Sequence, residues 1–129
     1  MENIRIGQVE VASIIERTGP WRDPTVMFPT AERKLIDRHL AEMPDYVYDA
    51  ALDQLVITYQ TFVVRTGRHT ILIDTCVGED KPARGEKLNY PKQPWLDGFS
   101  ALGLRFDDID YVFCTHLHTD HCGWNTRLV

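Results

Sequence analysis

Residues 108–115, DIDYVFCT, run directly into 116-HLHTDHCGWN-125, and this junction constrains the fold more than any other part of the chain. The first segment reads as a nearly all-apolar strand. Such strands are buried on both faces, as in a sheet covered by helices. The polar cluster then falls at the strand's carboxyl end, where layered α/β domains place their sites. It holds three of the chain's five histidines and an aspartate within six residues.

The spacing explains why these residue types point to metal chemistry. In an extended segment, residues i and i+2 face the same way, so His116 and His118 present two imidazoles together and Leu117 turns into the core. Two neutral imidazoles at that spacing chelate one divalent ion at ~2.0–2.1 Å. After Thr119 the chain must turn, and Asp120 and His121 add a hard oxygen and a third nitrogen. Gly123 permits a tight backbone just beyond. Four donors on so short an arc crowd a single tetrahedron. They suit two neighbouring ions, with His116 and His118 on one and Asp120 and His121 on the other. Paired ions ~3.5–4 Å apart hold a bridging water between them. The alternative is a loop of surface histidines; the preceding strand, the interposed aspartate and the following glycine favour metal.

The rest of the chain supplies the frame. Residues 4–15 alternate as one or two strands, and 18–30, rich in Pro and Gly, reads as a loop. Residues 30–43 read as a helix with Thr30 as N-cap, an apolar face of Leu35, Ile36, Leu40 and Met43, and a stop at Pro44. Residues 54–65 and 70–74 read as a hairpin turning at Gly67. A long polar loop spans 78–94, and 95–102 reads as a helix ending at Gly103. These divide one partial domain, 1–129, into an N-terminal strand, loop and helix segment (1–53) and a hairpin, loop, helix and motif-strand segment (54–129).

Composition narrows the function classes. The formal net charge of −5 argues against binding nucleic acid through a basic face. The three cysteines, Cys76, Cys114 and Cys122, are odd in number and form no CxxC, against a disulfide scaffold or zinc ribbon. Cys76 and Cys114 read as core, and Cys122 as a small residue beside the motif loop. Glu2, Arg5, Glu10 and Glu16 interrupt any signal-peptide core. The apolar segment 54–64 falls far short of the ~20 residues that span a bilayer. A cytoplasmic protein with a small-molecule substrate, no nucleic-acid partner and no membrane association is expected.

HLHTDH after an apolar strand resembles the HxHxDH motif of the metallo-β-lactamase-fold hydrolases, with His116, His118, Asp120 and His121 filling all four motif positions. The segment 71-ILIDTCVG-78 is similar to the family's earlier strand ending in aspartate and glycine. That places Asp74 beside the site, where a carboxylate holds the motif loop through hydrogen bonds behind the ligands; the alternative for Asp74 is a turn-capping residue. The likeness covers about residues 54–125. The first ~50 residues match loosely, like the extra N-terminal segment of lactonase-like members. The resemblance implies the N-terminal half of a four-layer αββα fold, a mixed β-sheet with flanking helices. It also implies a further His for the first ion, a bridging Asp and a last His for the second, from a second half. His39 and His69 do not match that order and read as structural or exposed. A longer chain, or a partner chain, is expected to complete the site.

The implied activity is metal-dependent hydrolysis, with zinc as the expected metal, as two ions, and iron or manganese as alternatives. The metal acidifies a water toward pH ~7, and Asp120 orients the nucleophile and passes its proton to the leaving group. A lactone or other small ester is the first expectation for substrate. Loop residues Trp21, Met27, Phe28 and Tyr90 are candidate substrate contacts, with packing as the alternative. Trp95 and Trp124 read as packing residues. Competing readings are an iron-dependent, persulfide-dioxygenase-like oxidoreductase of the same fold and a non-catalytic half-domain serving assembly.

Overall fold

The structure, a computed structural model, describes residues 3–81 and 85–128. In chain order its elements are β1 (Ile4–Ile6), β2 (Val9–Arg22), α1 (Pro24–Met27), α2 (Arg33–Leu40), β3 (Tyr48–Asp49), β4 (Gln54–Arg65), β5 (Thr70–Ile73), α3 (Gln93–Ala101) and β6 (Tyr111–Phe113). Single 3-10 turns occupy Glu86–Leu88 and Phe106–Asp108. The strands hydrogen-bond in the order β1-β2-β4-β5-β6, and β3 pairs with β4. β5 and β6 run parallel, whereas β1/β2, β3/β4 and β4/β5 are antiparallel, so the sheet is mixed. No helix among the described residues is long and apolar enough to cross a membrane.

The chain divides into two compact units, Thr18–Thr58 and the remainder. In the smaller unit, α2 turns Ile36 and Leu40 onto Leu55, with Ala31, Tyr48 and Ile57 packed around them. Two expectations are corrected here. Residues 18–22 continue β2 instead of opening a loop, and Pro24 then starts α1 with Asp23 as its cap, accepting from the Thr25 N–H at 2.7 Å. Thr30 caps nothing: it lies in a turn closed by the Ala31 N–H on the Phe28 carbonyl (3.1 Å), and α2 begins only at Arg33. Leu35, inside α2, and Met43, beyond its end, are both exposed and not part of its buried face.

The larger unit is built on the β4–β5 hairpin, which turns at Gly67 with φ +81. Tyr59, Thr61 and Val63 alternate inward along β4, as a strand with one covered face requires. The helix α3 adds Trp95 and Phe99. The Trp95 ring stacks on Phe99 (4.8 Å between centroids) and on Trp124 (4.5 Å), and its Nε1–H donates to Thr61 Oγ1 at 2.9 Å. Full burial of this indole contributes roughly 4–6 kcal/mol. Gly103 ends the helical region with φ +69, where a left-handed residue is needed.

One expectation about the motif strand is overturned. β6 spans three residues, and Tyr111, Val112 and Phe113 are 50%, 40% and 57% exposed. It is the terminal strand of the sheet, paired on one side with β5, and among the described residues no layer covers it. The apolar run reflects a strand suited to burial, not one buried here.

Candidate metal centre

The parallel pairing of β5 and β6 brings two carboxyl ends together. Asp74 directly follows β5, and its N–H donates to the Phe113 carbonyl at the end of β6 (2.8 Å). The backbone then curls tightly: Asp74, Cys76 and Gly78 have φ of +55, +50 and +72. Left-handed backbone at two non-glycine residues stores strain, which the surrounding hydrogen bonds hold in place.

Those bonds converge on Asp74. Its Oδ1 accepts the Thr115 N–H at 2.7 Å, and its Oδ2 accepts the Thr115 hydroxyl at 2.8 Å and His121 Nδ1–H at 2.8 Å. Because the Thr115 proton is committed to Asp74, its oxygen receives His116 Nδ1–H at 3.1 Å. One carboxylate therefore fixes two imidazoles, His121 directly and His116 through Thr115. In a neutral imidazole that arrangement leaves the Nε2 lone pair of each ring available as a donor to a metal. Burial pushes the Asp74 carboxyl up, but hydrogen bonds from His121 and Thr115 outweigh it and hold it below the usual carboxylate range.

The free ring nitrogens meet the other two motif side chains. His116 Nε2 lies 3.0 Å from His118 Nδ1, and His121 Nε2 lies 3.4 Å from Asp120 Oδ2. Two donors on one tetrahedral ion at ~2.0–2.1 Å stand roughly 3.3 Å apart, so the spacing of either pair is within a few tenths of an ångström of what a divalent ion would need. The rings of His116 and His121 are 3.9 Å apart between centroids, so the two pairs adjoin. Among the described residues no three or more His, Cys, Asp or Glu side chains converge as one metal-holding group; the donors come as pairs.

Other expected positions are distributed differently. Leu117 is 82% exposed and does not enter the core, because the chain bends after Thr115 and nothing described covers that side. Cys76 is buried, but Cys114 and Cys122 are only partly so. Their thiols rest against the carbonyls of His121 and His118, each at 3.4 Å. His39 is exposed, and His69 lies edge-on to Tyr111 at the sheet edge. Trp21, Met27 and Phe28 belong to the smaller unit. Of the 78–94 loop, residues 82–84 lie outside the described residues; the rest borders a cleft of about 830 Å3 lined by Lys81, Glu86, Asn89, Lys92 and Leu128, with none of the motif residues in its wall. Tyr90, a candidate substrate contact by sequence, is only partly exposed. Its hydroxyl donates to Glu16 Oε1 at 2.6 Å, and Lys92 Nζ sits 3.0 Å from its ring centroid.

Glu16 was invisible in the sequence pattern. It is 2% exposed on β2 and accepts four bonds: the Val77 and Gly78 N–H groups at 3.1 Å each, Tyr90 and Trp124 Nε1–H at 2.8 Å. A second unforeseen feature is the contact of Gly78 with Gly123. A Cβ on Gly123 would lie 2.0 Å from the Val77 carbonyl carbon, and one on Gly78 would lie 2.5 Å from the Gly123 carbonyl carbon. The glycines let the two segments pair through Thr75 N–H to His121 O (2.8 Å), Gly123 N–H to Cys76 O (2.8 Å) and Trp124 N–H to Thr75 O (3.0 Å).

Comparison with known proteins agrees with this architecture. A family model described as the metallo-beta-lactamase superfamily matches residues 56–129. No curated protein matches the chain. Among solved structures, the hydrolase AbOPH in the beta lactamase superfamily superposes with TM-score 0.70 at 22% identity, over 94% of this chain and 38% of that one. A probable metal-dependent hydrolase from Staphylococcus aureus superposes with TM-score 0.65 at 20% identity, over 92% and 41%. AidC, described as a dizinc quorum-quenching lactonase and solved with a product, superposes with TM-score 0.66 at 18% identity, over 95% and 37%. The chain thus spans about two fifths of the length of these structures.

Proposed function

The chain belongs to the metallo-beta-lactamase superfamily, and from that premise we propose that it carries the nucleophile-generating part of a di-zinc hydrolase acting on a lactone or similar small ester. The observation that carries this reading is the pairing of donors, His116 with His118 at 3.0 Å and Asp120 with His121 at 3.4 Å, both tied to one carboxylate. His116 Nε2 and His118 Nδ1 would hold one ion, and His121 Nε2 and Asp120 Oδ2 the other. The ions, when bound, supply a water acidified toward neutral pH and positive charge where an oxyanion develops.

The protein's own part is positional. Asp74 keeps Nδ1 of His116 and His121 protonated, so both rings offer their Nε2 lone pairs outward. Asp120, 29% exposed at its side chain, would orient the attacking water and carry its proton to the leaving group. The lactonase neighbour supports a cyclic ester, and it supports zinc over iron or manganese, which elemental analysis separates directly. Three free thiols support a cytoplasmic location.

Further ligands, from a longer chain or a partner, are expected to complete both ions, so the 129 residues alone should hold zinc weakly and turn over slowly. The test is ring opening of a short acyl lactone by zinc-loaded protein, followed by proton release, beside a phosphotriester and a β-lactam. Lactone turnover that vanishes in Asp120→Ala and His118→Ala is expected. Hydrolysis of none of the three above the zinc-free background, once the outside ligands are supplied by a longer chain or a partner, would overturn the hydrolase reading. Tight stoichiometric zinc with fast turnover in the monomeric 129-residue chain would overturn the expectation of outside ligands.

A further inference from the structure

We infer that Glu16 is a positioning residue for the metal motif, acting across the sheet on the two segments that carry Asp74 and His121. The inference rests on the metal-centre reading above. Glu16 touches none of the four motif residues in any described bond. Three of its four donors, however, sit at the far ends of the two segments that hold the centre; the fourth, Tyr90, lies outside both. Val77 and Gly78 follow Asp74 by three and four residues, and Trp124 follows His121 by three.

The geometry is a clamp closed at both ends. At one end Asp74 Oδ2 takes His121 Nδ1–H at 2.8 Å. At the other, Glu16 Oε2 takes the Gly78 N–H at 3.1 Å and Trp124 Nε1–H at 2.8 Å, bridging the two segments through a single oxygen. Between the ends run three backbone bonds and the contact of Gly78 with Gly123. A sliding of one segment past the other is therefore resisted at its outer end by Glu16. The same sliding would carry His121 away from Asp74 and rotate its ring.

Packing alone does not require a carboxylate here. The Trp124 ring is already held by stacking on Trp95, and Tyr90 by the cations over its face. A buried carboxylate is costly unless every lone-pair direction is met, and here four donors meet it. A glutamine cannot replace it: its amide offers one acceptor oxygen and turns two donors onto N–H and O–H groups that also donate.

The test uses the full chain, metal-free and with Co2+ as a spectroscopic probe. Glu16→Gln and Trp124→Phe, which keeps the stack but removes the indole donor, are compared with Tyr90→Phe, whose hydroxyl bonds Glu16 from outside both segments. Expected in the metal-free chain is a protected, downfield His121 Nδ1–H resonance that Glu16→Gln weakens or broadens. With cobalt, affinity read from ligand-field absorption falls about tenfold in Glu16→Gln, less in Trp124→Phe, and less than about twofold in Tyr90→Phe. Should Glu16→Gln not fold, Trp124→Phe decides. An unmoved His121 resonance with unchanged cobalt affinity in the folded variants would overturn the inference. A wild-type chain that binds no cobalt while the resonance still shifts in Glu16→Gln would overturn the metal reading and support the positioning role.

Discussion

Asp74 and His121 are 47 residues apart, and the 2.8 Å bond between Oδ2 and Nδ1 joins the end of β5 to the turn of the motif. It selects one tautomer of His121 and turns Nε2 toward Asp120. Through Thr115 the same carboxylate selects the tautomer of His116.

Substituting Asp74→Asn preserves the size of the side chain and suits the left-handed backbone, since Asn tolerates that conformation. It removes the charge and one of the acceptors. Zinc affinity should fall by roughly 10–100-fold, measured by competition with a chromophoric chelator. An affinity equal to wild type would mean that Asp74 only shapes the turn.

The two donor pairs should be separable. His118→Ala is expected to abolish the first pair and leave Asp120 with His121, and Asp120→Ala the reverse. Equilibrium dialysis with elemental analysis should then find each variant losing one class of bound metal while the other persists. Loss of all metal in both variants would point to a single shared ion.

Gly123→Ala tests the close approach of the two segments. The added Cβ would meet the Val77 carbonyl carbon and oxygen, both at 2.0 Å, and backbone cannot move aside as a side chain does. Destabilisation of at least ~2 kcal/mol is expected from overpacking, seen as a lowered urea midpoint. Wild-type stability would show that the segments separate easily.

The cysteines should differ in reactivity. Burial pushes the Cys76 thiol up to about 12, so it is protonated at neutral pH and shielded, whereas Cys114 and Cys122 are partly exposed. Native protein treated with a thiol reagent should label at Cys114 and Cys122 and spare Cys76, read by peptide mass mapping. Rapid labelling of Cys76 would contradict the packing of the larger unit.

In the smaller unit, hydrogen bonds from Arg33 and then Tyr48 hold the Asp53 carboxyl below its ordinary value of 3.8. A depressed carboxylate contributes stability that is present above the unfolded value and is lost as pH falls through the folded one. The urea midpoints of wild type and Asp53→Asn should therefore differ at pH 7 and converge toward pH 3. A difference that stays constant would mean the pair is broken in solution.

The motif was legible because its signal is local. His116, His118, Asp120 and His121 lie within six residues, and the chemistry of two-residue and turn spacing needs no distant partner. The hairpin of β4 and β5 was legible for the same reason, since β-branched runs and Gly67 specify it over a short span. The helix start was misplaced because Thr30 is a good cap by type, and only the turn from Phe28 to Ala31 removes it from that duty.

What tertiary structure alone decided is everything that depends on long separation. Glu16 meets Val77, Gly78, Tyr90 and Trp124 across 61, 62, 74 and 108 residues, and no periodicity marks such a partner set. The apolar run of β6 stated what that strand can bury, but exposure is a property of its neighbours, and β6 stands at the sheet's edge. Residue type and spacing determined which nitrogen and oxygen donors the motif carries. Parallel pairing of β5 with β6 decided how they are aimed, because a carboxylate orients a ring only when the fold sets the two within hydrogen-bonding distance.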